Sequence, residues 1–199
     1  MFRIVNDKKS NNRTGRTKRM ATMQWLNEPK VWTALQNGLS ATPNAETDFW
    51  RKTYDDGIRH NGHYYSDSVT GDFTARVRIT ARYHSQYDQA GLMVRIDEQT
   101  WLKCGIEFMD GRQYASTVVT RDYSDWSIIP LQNPAEIWIG CERRDTTLTT
   151  CYSLDGNNFQ MMRQTFLTDQ TEQHVGMMFA APRGNGFEVL FEDYSLILS

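Results

Sequence analysis

The sequence predicts an all-β domain, a sandwich or a barrel. Three observations predict it. Apolar and polar side chains alternate with a two-residue period along the chain, glycine-containing pairs punctuate the alternation, and no long stretch repeats every 3.6 residues. Strands at short, regular spacing without helices close into two-layer or barrel folds.

The segments justify this in turn. Over residues 72–81, Phe73, Ala75, Val77, Ile79 and Ala81 face one way, while Thr74, Arg76, Arg78 and Thr80 face the other. Over 91–97, Leu92, Val94 and Ile96 oppose Met93, Arg95 and Asp97. Over 101–108, Leu102, Cys104, Ile106 and Phe108 oppose Trp101, Lys103, Gly105 and Glu107. The pattern continues through 116–121, 136–142, 147–153 and 186–198. Asp56-Gly57, Asn61-Gly62, Asp110-Gly111, Asp155-Gly156 and Asn185-Gly186 supply the positive-φ positions that tight turns need.

With 199 residues, 39% of them hydrophobic and 12% aromatic, the chain suits one domain with a real core. Charge is unevenly placed. Residues 1–22 hold seven basic residues and one acid, whereas 23–199 hold 15 basic and 23 acidic residues. The first segment is polar after Val5 and lacks the apolar stretch of a secretory signal, so it reads as a disordered basic leader or upstream extension. The domain then starts near Met23. An acidic body is a poor match to a phosphate backbone, so no nucleic-acid partner is expected. No apolar run reaches the ~20 residues that cross a bilayer, so no membrane partner is expected either. Cys104, Cys141 and Cys151 are too few and too odd in number for a disulfide framework. They read as reduced core thiols, which favours the cytoplasm.

The outward face of the strand at 101–107 is unusual. Trp101, Lys103, Gly105 and Glu107 place an aromatic, a cation, bare backbone and an acid on one line. Nearby segments repeat that chemistry in Asp48, Trp50 and Arg51, in Tyr87, Asp88 and Gln89, and in Arg121, Asp122 and Trp126. Planar rings beside amides, acids and cations suit sugars, whose C–H patches stack while their hydroxyls hydrogen-bond. Gly105 aside, these twelve residues are the candidate ligand-binding set. The competing reading makes Arg51, Asp88, Arg121 and Asp122 ion pairs that pin loops, with Trp50 and Trp126 as ordinary packing.

No catalytic motif stands out. The Glu-x-Asp-x-Glu strand of sandwich glucanases is absent, as are a Gly-x-Ser-x-Gly elbow, a P-loop and a Rossmann glycine pattern. Glu107 is the one weak catalytic candidate. It needs a second carboxylate, such as Asp88 or Asp122, and Lys103 is expected to hold it ionised. His60 and His63 are spaced three apart in a turn and read as surface or packing residues. No metal and no cofactor are expected.

Six motifs, taken together, point to a family. They are Trp25-Leu26-Asn27-Glu28-Pro29 and residues 47–53, 87–93, 103–107, 118–127 and 186–194. In their order and content they resemble the uncharacterised concanavalin A-like proteins that include the regulation-of-enolase protein, and they cover essentially all of 23–199. The resemblance implies a two-sheet antiparallel jelly-roll sandwich of the concanavalin A-like lectin/glucanase type, with a concave sheet. The expected function is binding of a carbohydrate, glycoconjugate or other small polar ligand in a concave groove. A regulatory domain with a protein partner and a glycan-acting hydrolase are the alternatives.

Overall fold

The computed structural model describes the backbone of residues 16–17 and all of residues 23–199. Among them are seventeen strands and no helix. One sheet runs β15 (Gln160–Phe166), β14 (Thr147–Ser153), β13 (Ile137–Arg144), β8 (Phe73–Ala81), β17 (Val189–Leu198), β4 (Gly38–Thr42), β3 (Val31–Leu35). The other runs β12 (Tyr123–Pro130), β11 (Arg112–Arg121), β10 (Thr100–Met109), β9 (Gln89–Arg95), β16 (Glu172–Ala180), β7 (His63–Thr70), β2 (Gln24–Leu26). A separate hairpin joins β5 (Phe49–Arg51) to β6 (Ile58–His60). The leader expected over 1–22 lies outside the described residues, apart from β1 (Arg16–Thr17), which pairs with Leu198 and Ile197 of β17.

The alternation sorts residues as anticipated. In β8, Phe73, Ala75, Val77 and Ile79 are buried, while the residues between them are partly or fully exposed. They meet Leu92 and Val94 of β9, Leu102, Cys104 and Ile106 of β10, and Ile139 of β13 in one core between the sheets. Burying each large apolar side chain contributes roughly 1.5–3 kcal/mol. Cys104 and Cys141 are buried in this core, and Cys151 is half-buried, all as free thiols.

The two outer faces differ. That of the β8 sheet carries Arg76 and Arg78 toward solvent. That of the β10 sheet is covered by the β5–β6 hairpin. Phe49 of β5 packs edge-on against Trp101 of β10, with ring centroids 6.3 Å apart, and both are buried. They belong to a second, smaller apolar cluster with Tyr64, Met93, Val118 and Met178. Both faces of β10 are therefore buried along most of its length.

Candidate functional site

Beside the second apolar cluster, the outer face of β9 and β10 turns polar. Lys103 and Glu107 lie four residues apart on β10, so alternation puts both on the hairpin side, with Gly105 between them. Gly105 pairs across the ladder with Gly91. A Cβ on Gly105 would sit 2.2 Å from the Ala90 carbonyl oxygen, and one on Gly91 would sit 2.0 Å from that of Cys104. Only bare backbone fits here, and the gap it leaves separates Lys103 from Glu107.

Lys103 is almost fully buried, and its ammonium has three acceptors for three protons. Nζ donates to Gln89 Oε1 at 2.7 Å, to the Phe49 carbonyl at 2.7 Å and to Asp48 Oδ1 at 3.4 Å. It also lies 5.8 Å from the centre of the Trp101 ring. Gln89 Nε2 donates to the same Asp48 oxygen at 3.1 Å, as does the Phe49 N–H at 2.8 Å. Lys103 and Gln89 thus tether the hairpin to the sheet and fix the orientation of the Asp48 carboxylate.

Glu107 is held differently. Its Oε2 accepts from Ser116 Oγ at 3.0 Å, and that hydroxyl accepts from Trp126 Nε1 at 3.0 Å. Burial pushes the Glu107 carboxyl above its ordinary value; Lys103 opposes the rise and Asp48 adds to it. Lys103 directs its protons to other acceptors and makes no ion pair with Glu107, yet its charge still favours the ionised carboxyl against burial. The neighbouring carboxylate is Asp48, not Asp88 or Asp122.

Around this floor opens a cleft of about 980 Å³. Trp50 and Trp126 stand at right angles, 6.3 Å apart, and form one corner of it. Trp50 is fixed by donating Nε1 to the Thr53 carbonyl at 2.7 Å. Tyr87, held in the left-handed region at φ 68°, and the fully exposed Tyr54 add further aromatic lining. Of the twelve candidates, Asp48, Trp50, Tyr87, Lys103, Glu107 and Trp126 line this cleft, and Gln89 supports it from below.

The other five do not line it. Trp101 is fully buried beneath Phe49 and serves as packing. Arg51 and Asp122 form a latch: Arg51 Nη2 meets Asp122 Oδ1 at 2.8 Å and Arg51 Nε donates to the Asp122 carbonyl at 3.2 Å. Lys52 joins at 2.6 Å, and hydrogen bonds from Lys52 and Arg51 pull the Asp122 carboxyl below its ordinary value. Asp88 is fully buried and accepts the His84 and Ser85 N–H groups at 3.0 and 2.9 Å, which makes it a loop cap whose carboxyl burial pushes up. Arg121 is exposed, 5.9 Å from the centre of the Phe166 ring. Arg51 and Asp122 form an ion pair of the kind the competing reading describes, whereas Asp88 holds its loop through backbone N–H groups. Sequence reading passes over Glu46, Tyr54, Arg59, Arg183 and Ser116. Ser116 was within reach: the Asp110-Gly111 turn sets the β10–β11 register, which places Ser116 opposite Gly105.

Residues 25–197 match a family described as a protein of unknown function, DUF1349. The chain belongs to the DUF1349 family. Regulation of enolase protein 1 of Saccharomyces cerevisiae is 35% identical to this DUF1349 chain over 173 residues, which is 86% of this chain and 87% of that protein. The crystal structure of a functionally unknown protein from Saccharomyces cerevisiae superposes with a TM-score of 0.86 at 34% identity, covering 90% of this chain and 97% of that one. The GH43 BlXynB protein from Bacillus licheniformis superposes at 0.69 with 14% identity, over 89% of this chain and 37% of its own. That last likeness shows the fold alone. The DUF1349 domain is an antiparallel jelly-roll sandwich of the concanavalin A-like class, as its motifs implied.

Proposed function

We propose that the DUF1349 cleft binds an uncharged carbohydrate. The observation that carries this is the Trp50–Trp126 corner standing beside a floor of Asp48, Lys103 and Glu107. A ring can stack on indole while its hydroxyls meet fixed donors and acceptors. Three of the acids nearby are paired in place: Asp48 with Lys103, Asp55 with Arg59, Asp125 with Arg163. Burial biases Glu107 toward its neutral form. Such a lining suits a polyol better than an ion. The three free cysteines support a reducing, cytoplasmic setting.

Tryptophan fluorescence titrated with neutral oligosaccharides tests the proposal. At least one should quench with a dissociation constant of about 1 mM or tighter, and Trp126→Ala should weaken it at least about tenfold. Silence toward the whole set at about 10 mM would sink the reading. A protein-binding regulatory role is the second reading. It is favoured by the yeast relative's name and by Tyr123 and Ile128, 59% and 40% exposed along β12. Loss of a captured partner with Ile128→Lys, but not with Trp126→Ala, would favour it.

A further inference from the structure

Left-handed backbone gathers around the cleft. Among the described residues, eleven other than glycine have φ between 49° and 80°. Seven of them are Asp or Asn, whose short polar side chains tolerate that region. The remaining four are Glu46, Lys52, Tyr54 and Tyr87, and of these Glu46, Tyr54 and Tyr87 line the cleft. They come from three separate loops: before β5, at the tip of the β5–β6 hairpin, and before β9. A tyrosine in this region stands where glycine would fit without strain, and strain of this kind concentrates at ligand sites.

Tyr87 is the clearest case. Its N–H donates to the Phe108 carbonyl at 2.7 Å and its carbonyl accepts from Gln89 Nε2 at 3.3 Å, so the main chain is held on both sides. The ring has no such anchor. Among the described residues it joins neither apolar cluster and makes no side-chain hydrogen bond. It lines the cleft instead.

Tyr87 and the Trp50–Trp126 corner stand at opposite ends of the floor. Trp126 pairs with Val118 and Val118 with Lys103, so Trp126 is level with Lys103, two strands away on β12. Tyr87 precedes β9, whose Gln89 pairs with Glu107, so it lies beyond Glu107 on the other side of β10. Three strand spacings across and at least four residues along put the two backbones on the order of 20 Å apart. Several sugar rings in a row bridge such a gap, and one does not.

We propose that the cleft takes an extended oligosaccharide, stacked on Trp50 and Trp126 at one end and on Tyr87 at the other, with its middle sugars over Lys103 and Glu107; the proposal rests on the carbohydrate reading above. The cleft's volume of about 980 Å³ is at the upper end of small-ligand sites, which suits a chain of sugars better than a single one. Length then matters as well as identity. A disaccharide reaches one aromatic station, whereas a hexaose reaches both, and its second contact forms at the high local concentration set by the first.

The test uses the full chain with the disaccharide and the hexaose of the xylan, cellulose, laminarin and mannan series, read by tryptophan fluorescence. In at least one series the hexaose should bind about 30-fold tighter than the disaccharide, beyond the roughly fivefold that several overlapping registers provide. Tyr87→Gly should bring that ratio below about fivefold, and Tyr87→Phe, which keeps the ring, should preserve it. Urea unfolding adds a readout that a packing role would move. Tyr87→Gly should unfold at the same or a higher urea concentration than wild type, because glycine relieves the left-handed backbone. A clear fall in that concentration would overturn the claim that the ring is kept for a ligand. A ratio untouched by Tyr87→Gly would overturn the assignment of Tyr87. Hexaoses that bind no more than about fivefold tighter than their disaccharides would overturn the second station and leave the binding reading standing. Failure of every disaccharide and hexaose to bind would remove both readings.

Discussion

The outer faces of the two sheets begin from the same alternating pattern and end in opposite surroundings. Arg78, on the outer face of β8, meets Glu136, Glu192 and Asp193 at 3.0–3.3 Å in the open. Lys103, on the outer face of β10, meets its partners under the hairpin, with its side chain only 6% exposed. Period-two patterning says which residues leave the core. It does not say what lies over them. That is decided by a segment some fifty residues earlier in the chain, whose Phe49 finds Trp101 and whose Asp48 and Phe49 carbonyl find Lys103.

This contrast can be broken by paired substitutions. Lys103→Ala should destabilise the fold by about 3 kcal/mol, because it leaves a half-buried carboxylate, a buried carbonyl and the buried Gln89 amide oxygen without their cation. Arg78→Ala should cost less than about 1 kcal/mol, because its partners remain hydrated. Urea unfolding measures both, and equal losses would mean that the cover over Lys103 is not closed in solution. Gly105→Ala sharpens the point by testing the backbone beneath the site. A methyl group forced against the Ala90 carbonyl should cost about 2 kcal/mol and disturb the spacing of Lys103 and Glu107. A neutral result would show that β9 and β10 can part at no cost.

The smallest effect is one of pH. The folded state raises Glu107 above its ordinary value of 4.5, so folding binds that proton more tightly. Its contribution is complete below pH 4.5 and is lost as pH rises through the raised value. Glu107→Gln should remove this loss, so its stability relative to wild type should improve as pH rises from 4.5 toward neutrality. Parallel stability curves for the two proteins would contradict the burial seen here. Exposed carboxyls such as Asp155, pulled down by hydrogen bonds from Asn158 and Asn157, act in the opposite sense, and their contribution fades as pH falls.

Legibility in the sequence followed the same divide. The alternations at 72–81, 91–97, 101–108 and 147–153 recover β8, β9, β10 and β14 with small errors at the ends, because long strands facing one core must alternate. The segment from 24 to 60 gave no such reading. Its strands are three to five residues long, too short to establish a period, and β5 and β6 pair only with each other. The site was legible where chemistry stood out on a long strand, as with Lys103 and Glu107. It is ambiguous in sequence where a polar residue can either reach the cleft or lock a loop. Arg51 and Trp50 are neighbours in sequence, yet one latches to Asp122 and the other lines the cavity. Only the path of the hairpin separates those outcomes. Alternation puts Trp101 on the correct face, but no local pattern reveals that Phe49 covers it.

The hairpin is paired only with itself and is joined to the sandwich through side chains and a few loop hydrogen bonds. It carries Trp50 and the Tyr54 side of the cleft, whereas the ladder beneath carries Lys103, Glu107 and Trp126. Selectivity and scaffold are thus written in separable stretches of chain. Exchanging the tip between Arg51 and Ile58 could redraw the shape of the mouth while every rung of both large sheets stayed in register, so relatives can diverge in what they grip without renegotiating how they fold.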